Sequence, residues 1–301
     1  MLQKPFTSSQ IAVAYQKACI AELQALKPGN VHVFADGHGM TIHDFMKSAE
    51  ASAAAIAQQH LTLGERIFFG VEATQKAVGL NTNLGVILLC APLIHAALYE
   101  AKFESESDKN GTFKPNFDTT LQLITQNLTD IYRHISVNDA ALTAKAILLA
   151  NPAGLGSAAK HDVHMAPTVN LLEMMRAAEQ RDLIAWQYTH HFEDILQYGL
   201  ARYLQAFTKW ANMTWATTAL YLGFLARKPD SHIARKYGAE TAYLVMKEAQ
   251  EIETEYWQIE NPKLMQKKLL IWDASLKSRG LNPGTSADLT VATMYLVFLE
   301  E

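Results

Sequence analysis

The chain has 301 residues, 49% of them apolar, a formal net charge of −4 and only two cysteines. That supports a sizeable buried core, and the absence of any basic stripe excludes nucleic acid as a partner. Cys19 and Cys90 both fall inside apolar helical patterns, and MLQKPFTSSQ lacks the apolar run of a signal peptide, so a reduced, cytoplasmic protein is expected.

Helical periodicity dominates the chain from its start. Ser8 or Ser9 can cap a first helix reaching about Leu26, with Ile11, Tyr15, Ala18 and Leu26 roughly on one stripe. Thr41 with Asp44 opens a second helix to about Gln59, and the capping box Thr62 to Glu65 opens a third to about Val78. A fourth begins near Asn83. Its core, Gly85 to Leu98, is the most apolar stretch, yet it is shorter than the roughly 20 residues of a membrane span and carries Pro92 and His95. It predicts a buried helix and no membrane partner. The polar stretch 105–116 reads as a surface linker. Asp118 opens a fifth helix and Ser136 a sixth, through Ala150. Asn151 to Pro167 is a long Gly-rich loop. Helices are then expected over Thr168–Arg181, Asp182–Tyr203, Trp210–Arg227, His232 to about Ile259, Pro262 to about Arg279, and Ala287–Leu299. With no period-2 pattern and no internal repeat, the expectation is an all-α fold, one domain over 1–301 with roughly a dozen helices.

Chemistry belongs in the polar loops that such a frame holds. Four stand out: LKPGNVHVFADGHGM (Leu26 to Met40), GLNTNLG (Gly79 to Gly85), ARKPDSHIARKYG (Ala226 to Gly238) and GLNPGTSADL (Gly280 to Leu289). In the last, Pro283 forces a turn, Gly284 leaves room for a ligand, and Ser286 is a natural N-cap for a helix whose first amides would meet phosphate. Asp288 beside that phosphate would call for a bridging Mg²⁺. The same residues are also common helix punctuation, and Lys27-Pro28-Gly29 is an ordinary helix stop. His32 and His38 lack a third metal ligand at a recognised spacing; His161 and His164, flanking Asp162, are more suggestive. His190 and His191 are placed within a helix. Trp210, Trp215 and Tyr221 are read as neighbours on one apolar helix, facing the core. No nucleophile elbow or Walker-type loop is present.

The four loops together, over about residues 15 to 299, resemble the triphosphoribosyl-dephospho-CoA synthases. KPGNVH and GHGM are similar to that family's Lys-Pro-Gly-Leu-Val-Asp box and its continuation. NTNLG is similar to Asn-Thr-His-Lys-Gly, PDSHIARKYG to its Asp-Thr segment, and GLNPGTSADL to Leu-(Ser/Asn)-Pro-Gly-Gly-Ser-Ala-Asp-Leu. The resemblance implies an all-helical transferase. Its reaction moves the 5-triphosphoribosyl group of ATP to the ribose 2′-hydroxyl of 3′-dephospho-CoA and releases adenine, with Mg²⁺ accompanying the phosphorylated donor.

By position in that resemblance, Glu22 and Glu72 are candidates for cation stabilisation or proton transfer, unless they are salt-bridged surface residues. Lys27, Arg235 and Lys236 would bind phosphate, and Thr285 and Ser286 would donate to phosphate oxygens. Asp230, Asp288 and Asp162 would hold Mg²⁺. Gly29, Asn30, His32, His38, Asn81, Thr82, Asn83, Gly85, Asn282 and Gly284 complete the expected substrate-binding set. Three departures fall in these boxes: Asn83-Leu84 where the family has His-Lys, His32 where it has Asp, and Thr285 where it has Gly. They open two alternatives. One is phosphoribosyl transfer from another donor, such as phosphoribosyl pyrophosphate, to a different cofactor precursor of the tetrahydromethanopterin type. The other is an idle nucleotide-binding or scaffold protein.

Overall fold

A computed structural model describes residues 6–99 and 117–300; the linker expected at 105–116 lies outside them. The described residues form 14 α-helices, a π-helical segment and a 3₁₀ turn, with two isolated bridges within the loop 32–40 and no strand. The helices are α1 (Ser8–Gln24), α2 (Ile42–Ile56), α3 (Leu63–Val78), α4 (Leu84–Leu98), α5 (Phe117–His134), α6 (Val137–Ala150) and α7 (Leu171–Arg176). They continue with α8 (Leu183–Thr189), α9 (Leu200–Trp210), α10 (Met213–Arg227), α11 (Ser231–Tyr237), α12 (Ala239–Gln258), α13 (Gln266–Ser278) and α14 (Gly284–Leu299). No helix among the described residues is long and apolar enough to cross a membrane.

Local chemistry sets many of the starts. Thr41 with Asp44, Thr62 with Glu65 and Ser136 with Asp139 each close a capping box, in which two orphan amides are satisfied reciprocally. The first helix is capped by Thr7, with Gln10 completing its box, rather than by Ser8 or Ser9. One continuous set of buried apolar side chains runs from Ile11 on α1 to Leu299 on α14. Fourteen of the sixteen residues of α14 are buried, so this last helix is central: α1, α4 and α10 pack around it.

Several helices are shorter than periodicity predicts. The one expected from Thr168 begins only after Asn170, whose side chain caps Glu173. The one expected over Asp182–Tyr203 is broken, because His191 and Phe192 take φ of 50° and 59°. A π-helical turn, Asp194–Gly199, follows before α9 resumes. The break swings Phe192 into the core against Tyr188 and turns Asp194 inward. His190 and His191 therefore sit at a break, not within a helix. Ala211, at φ 48°, separates α9 from α10; Trp210 ends the former, beside Tyr256 and Trp257, whereas Trp215 and Tyr221 lie on the latter. Gly238, at φ 92°, parts α11 from α12.

Candidate functional site

The first and last motifs meet although more than two hundred residues separate them. Gly29 adopts φ 85°, open to glycine, and a Cβ there would lie 2.8 Å from the Pro283 ring. The Asn30 amide donates to Asn282 Oδ1 at 2.8 Å. Gly29 N donates to Asp273 Oδ1 at 2.8 Å, and the Tyr221 hydroxyl donates to the Pro28 carbonyl at 2.7 Å. His32 is buried with Nε2 3.3 Å from Asp273 Oδ1, while Lys277 reaches both Asp273 and the Ala35 carbonyl. Burial holds the His32 imidazole below its ordinary pKa. Burial acts to raise Asp273, but the close His32 ring and hydrogen bonds from Gly29 and Lys277 outweigh it and leave the carboxyl low. His32 is thus a loop brace. His38 Nε2 meets the Gly29 carbonyl at 2.8 Å.

Behind this junction Lys27 is wholly buried. Its ammonium pairs with Glu22 and donates to Asn30 Oδ1 at 2.8 Å. Burial drives the Glu22 carboxyl up and the Lys27 ammonium down, each partly offset by the other's charge. Lys27 positions Glu22 and Asn30 and does not itself line the cleft onto which both open.

That cleft has a volume of about 1270 Å³. Its lining includes the carboxyls of Glu22 and Asp288 and the amides of Asn30, Asn81, Asn83 and Asn282. Gly85, in the first turn of α4, has no room for a side chain, since a Cβ would lie 2.0 Å from Asp288 Oδ2. Burial pushes the Asp288 carboxyl well up, and the nearby charges of Asp230 and Glu22 add to this. Thr82 and Asn83 are held by Ser48 and Ser52 on α2, at 2.6 and 3.2 Å. Five cations, Lys160, Arg181, Lys228, Arg235 and Lys236, line the cleft as well, together with Asp162, Glu179 and Asp182. The Gly-rich loop from Asn151 borders it, and Arg235 holds that loop by donating to the Ala153 carbonyl at 3.1 Å.

The start of α14 differs from expectation. The helix begins at Gly284, so Ser286 lies in its first turn and is not its N-cap. The carboxylate that meets this terminus comes from the protein. Asp230 Oδ2 accepts from both the Ser286 amide and hydroxyl at 2.8 Å, while its Oδ1 accepts from the amides of His232 and Ile233. With these donors satisfied by a buried carboxylate, neither Asp230 nor Ser286 lines the cleft. Thr285 does, its hydroxyl 3.0 Å from that of Ser231.

Two further expected residues are committed elsewhere. Glu72 lies on α3 outside the cleft, paired with Lys76 at 2.9 Å. Asp162 borders the cleft but accepts from the amides of Ala158 and His164, which with the His164 ring hold its carboxyl at about 2. Among the described residues no three His, Cys, Asp or Glu side chains are grouped to hold a metal ion. A cation carried in on phosphate oxygens needs fewer, because Mg²⁺ in such sites takes one or two carboxylates and completes its shell with phosphate and water. Asp288, with Glu22 near it, fits that need.

Sequence reading missed Asp273, Lys277, Trp186 and Lys228. The first two are a plain i, i+4 pair on α13; only the returning loop makes them part of the site.

An all-helical frame brings its first and last loops together over a cleft lined by two carboxyls, several amides and several cations. Residues 8–301 match the family model of ATP:dephospho-CoA triphosphoribosyl transferase, and the chain belongs to that family. It is a transferase, of the kind that moves a triphosphoribosyl group to a dephospho-CoA-type acceptor. A solved structure from Archaeoglobus fulgidus, with the provisional description triphosphoribosyl-dephospho-CoA synthase, shares the fold at a TM-score of 0.60 and 23% identity. The match covers 84% of this chain and 97% of that one. No curated protein matches the sequence.

Proposed function

We propose that the cleft transfers the 5-triphosphoribosyl group of ATP to the ribose 2′-hydroxyl of 3′-dephospho-CoA and releases adenine. The observation that carries this reading is one cleft lined both by two carboxyls, Glu22 and Asp288, and by several cations. The acceptor 2′-oxygen bonds to C1 of the donor ribose as the C1–N9 bond breaks, and that bond's electron pair leaves with adenine. The hydroxyl loses one proton and adenine leaves with one, so the reaction is proton-neutral overall. Positive charge builds on the ribose in the transition state, and a carboxylate nearby stabilises it.

Glu22 suits the proton transfer. Burial raises its carboxyl, partly offset by the charge of Lys27, which also restrains it in one orientation. Asp288 would hold Mg²⁺, which supplies charge neutralisation on the triphosphate. Arg235 and Lys236 would grip the phosphate oxygens, with Thr285 donating a hydrogen bond. Asn81, Asn83 and Asn282 offer amides for the ribose hydroxyls.

Adenine release from ATP with Mg²⁺, followed chromatographically, tests the reading. Release should require dephospho-CoA and should fall by about a hundredfold or more in Glu22→Gln and Asp288→Asn. A second reading keeps the cleft and changes the donor. It is favoured by Asn83, which lines the cleft where the family carries a His. Turnover of phosphoribosyl pyrophosphate, with ATP inert, would establish it. Absence of turnover with either donor would favour an idle binding protein.

A further inference from the structure

Transfer between ATP and dephospho-CoA places two phosphate chains in one cleft at once, a triphosphate and a diphosphate. The cations that line the cleft are held by different partners. Arg235 donates to the Ala153 carbonyl and lies 3.5 Å from Asp182 Oδ2. Lys228 shares neither partner and has surroundings of its own. Its ammonium lies 2.7 Å from Asp194 Oδ2 and 3.1 Å from the centroid of the Trp186 ring, which also lines the cleft. Trp186 is itself fixed, stacked on His190 at 3.9 Å between centroids.

Asp194 is buried and serves two cations, because Arg227 Nε meets its Oδ1 at 3.1 Å. The Gln187 amide donates to it as well, at 3.0 Å. Two positive charges on one carboxylate leave an excess of one, and Lys228 opens that excess onto the cleft. The π-helical turn exists at this point in the chain, and it is what brings Asp194 beneath Lys228.

We propose that Lys228, braced by Asp194 and Trp186, anchors the diphosphate of the dephospho-CoA acceptor, separately from Arg235 and Lys236, which take the donor triphosphate. The assignment to the acceptor rests on the transfer reading above; the anion site itself rests on the geometry alone. A braced cation loses little rotamer freedom on binding, and a charge-assisted contact to phosphate in a partly enclosed cleft is worth more than one in open water.

Titration calorimetry of Lys228→Met and Lys228→Arg against wild type, with ATP, dephospho-CoA and inorganic pyrophosphate as separate ligands, tests it. Asp194 keeps Arg227 and Gln187 in both variants, so the fold persists. Lys228→Met should weaken dephospho-CoA by about tenfold or more and ATP by less than about twofold, with Lys228→Arg recovering most of the loss. Pyrophosphate should lose its Lys228-dependent binding in the same variant. Equal weakening of ATP and dephospho-CoA, or no weakening of either, overturns the proposal. So does wild-type protein that binds neither pyrophosphate nor dephospho-CoA. Lys228-dependent pyrophosphate binding in a protein that never releases adenine from ATP would support the anion site and sink the transfer reading alone.

Discussion

The Asp288 carboxyl has room beside α4 only because position 85 carries no side chain. A Gly85→Ala change would favour the helix by about 1 kcal/mol of propensity but drives a methyl into the carboxylate. The expected result is a melting temperature close to wild type with turnover lower by about a hundredfold, the loss that a displacement near 1 Å brings to a positioned group. Circular dichroism melts and adenine release, run together, check it; unchanged turnover would remove Asp288 from the chemistry. Asp288 was legible in the sequence, as the acid of a motif. Its need for Gly85 was not, since the two are some two hundred residues apart and meet only through packing. Lys27 shows the opposite failure. Its local sequence alone reads as an ordinary helix stop and the family resemblance implies a ligand for phosphate, whereas burial makes it a brace for Glu22. Burial of a single charge leaves no local trace in sequence.

Helix starts were legible where one residue caps its own helix. Thr41, Thr62 and Ser136 are such cases, since the partner lies three residues on and the geometry is local. The breaks were not: His191, Phe192 and Ala211 occupy the left-handed region without being glycine, and only tertiary packing holds them there. Likewise α14 is capped from α11. Asp230 accepts four hydrogen bonds that fasten the starts of both helices. Asp230→Ala strands all four donors and should cost about 3 kcal/mol, a cap lost together with buried unsatisfied groups. Urea denaturation measures this, and a cost under about 1 kcal/mol, the size of a single ordinary cap, would mean the clamp is not structural.

For the whole molecule, buried histidines couple stability to pH. Burial lowers His95 to about 4, with the Arg66 charge adding to the shift. Its ordinary value lies near 6.5, so the unfolded chain binds more protons than the folded one between about 4 and 6.5. The contribution of His95 is therefore fully present above about 6.5 and lost as pH falls toward 4. Glu22, Asp230 and Asp288 act in the opposite sense, because their carboxyls are raised. The isolating measurement is the difference between wild type and His95→Gln, which should move in favour of wild type as pH rises from 4 to 6.5 and stay flat above. A difference independent of pH would show that His95 is not held neutral by burial.

The join between the loop after α1 and the loop before α14 also sets when the site can exist. Asn30 finds Asn282 across 252 positions, and Gly29 finds Asp273 across 244. Contacts that distant cannot form until the far partner has been made, and chains are synthesised from the N-terminus. On the ribosome, Glu22 and Lys27 emerge early, well before α13 and α14. A nascent chain therefore has no complete cleft until both of those helices have emerged. Any ligand can assist only their docking, not the folding of the helices before them.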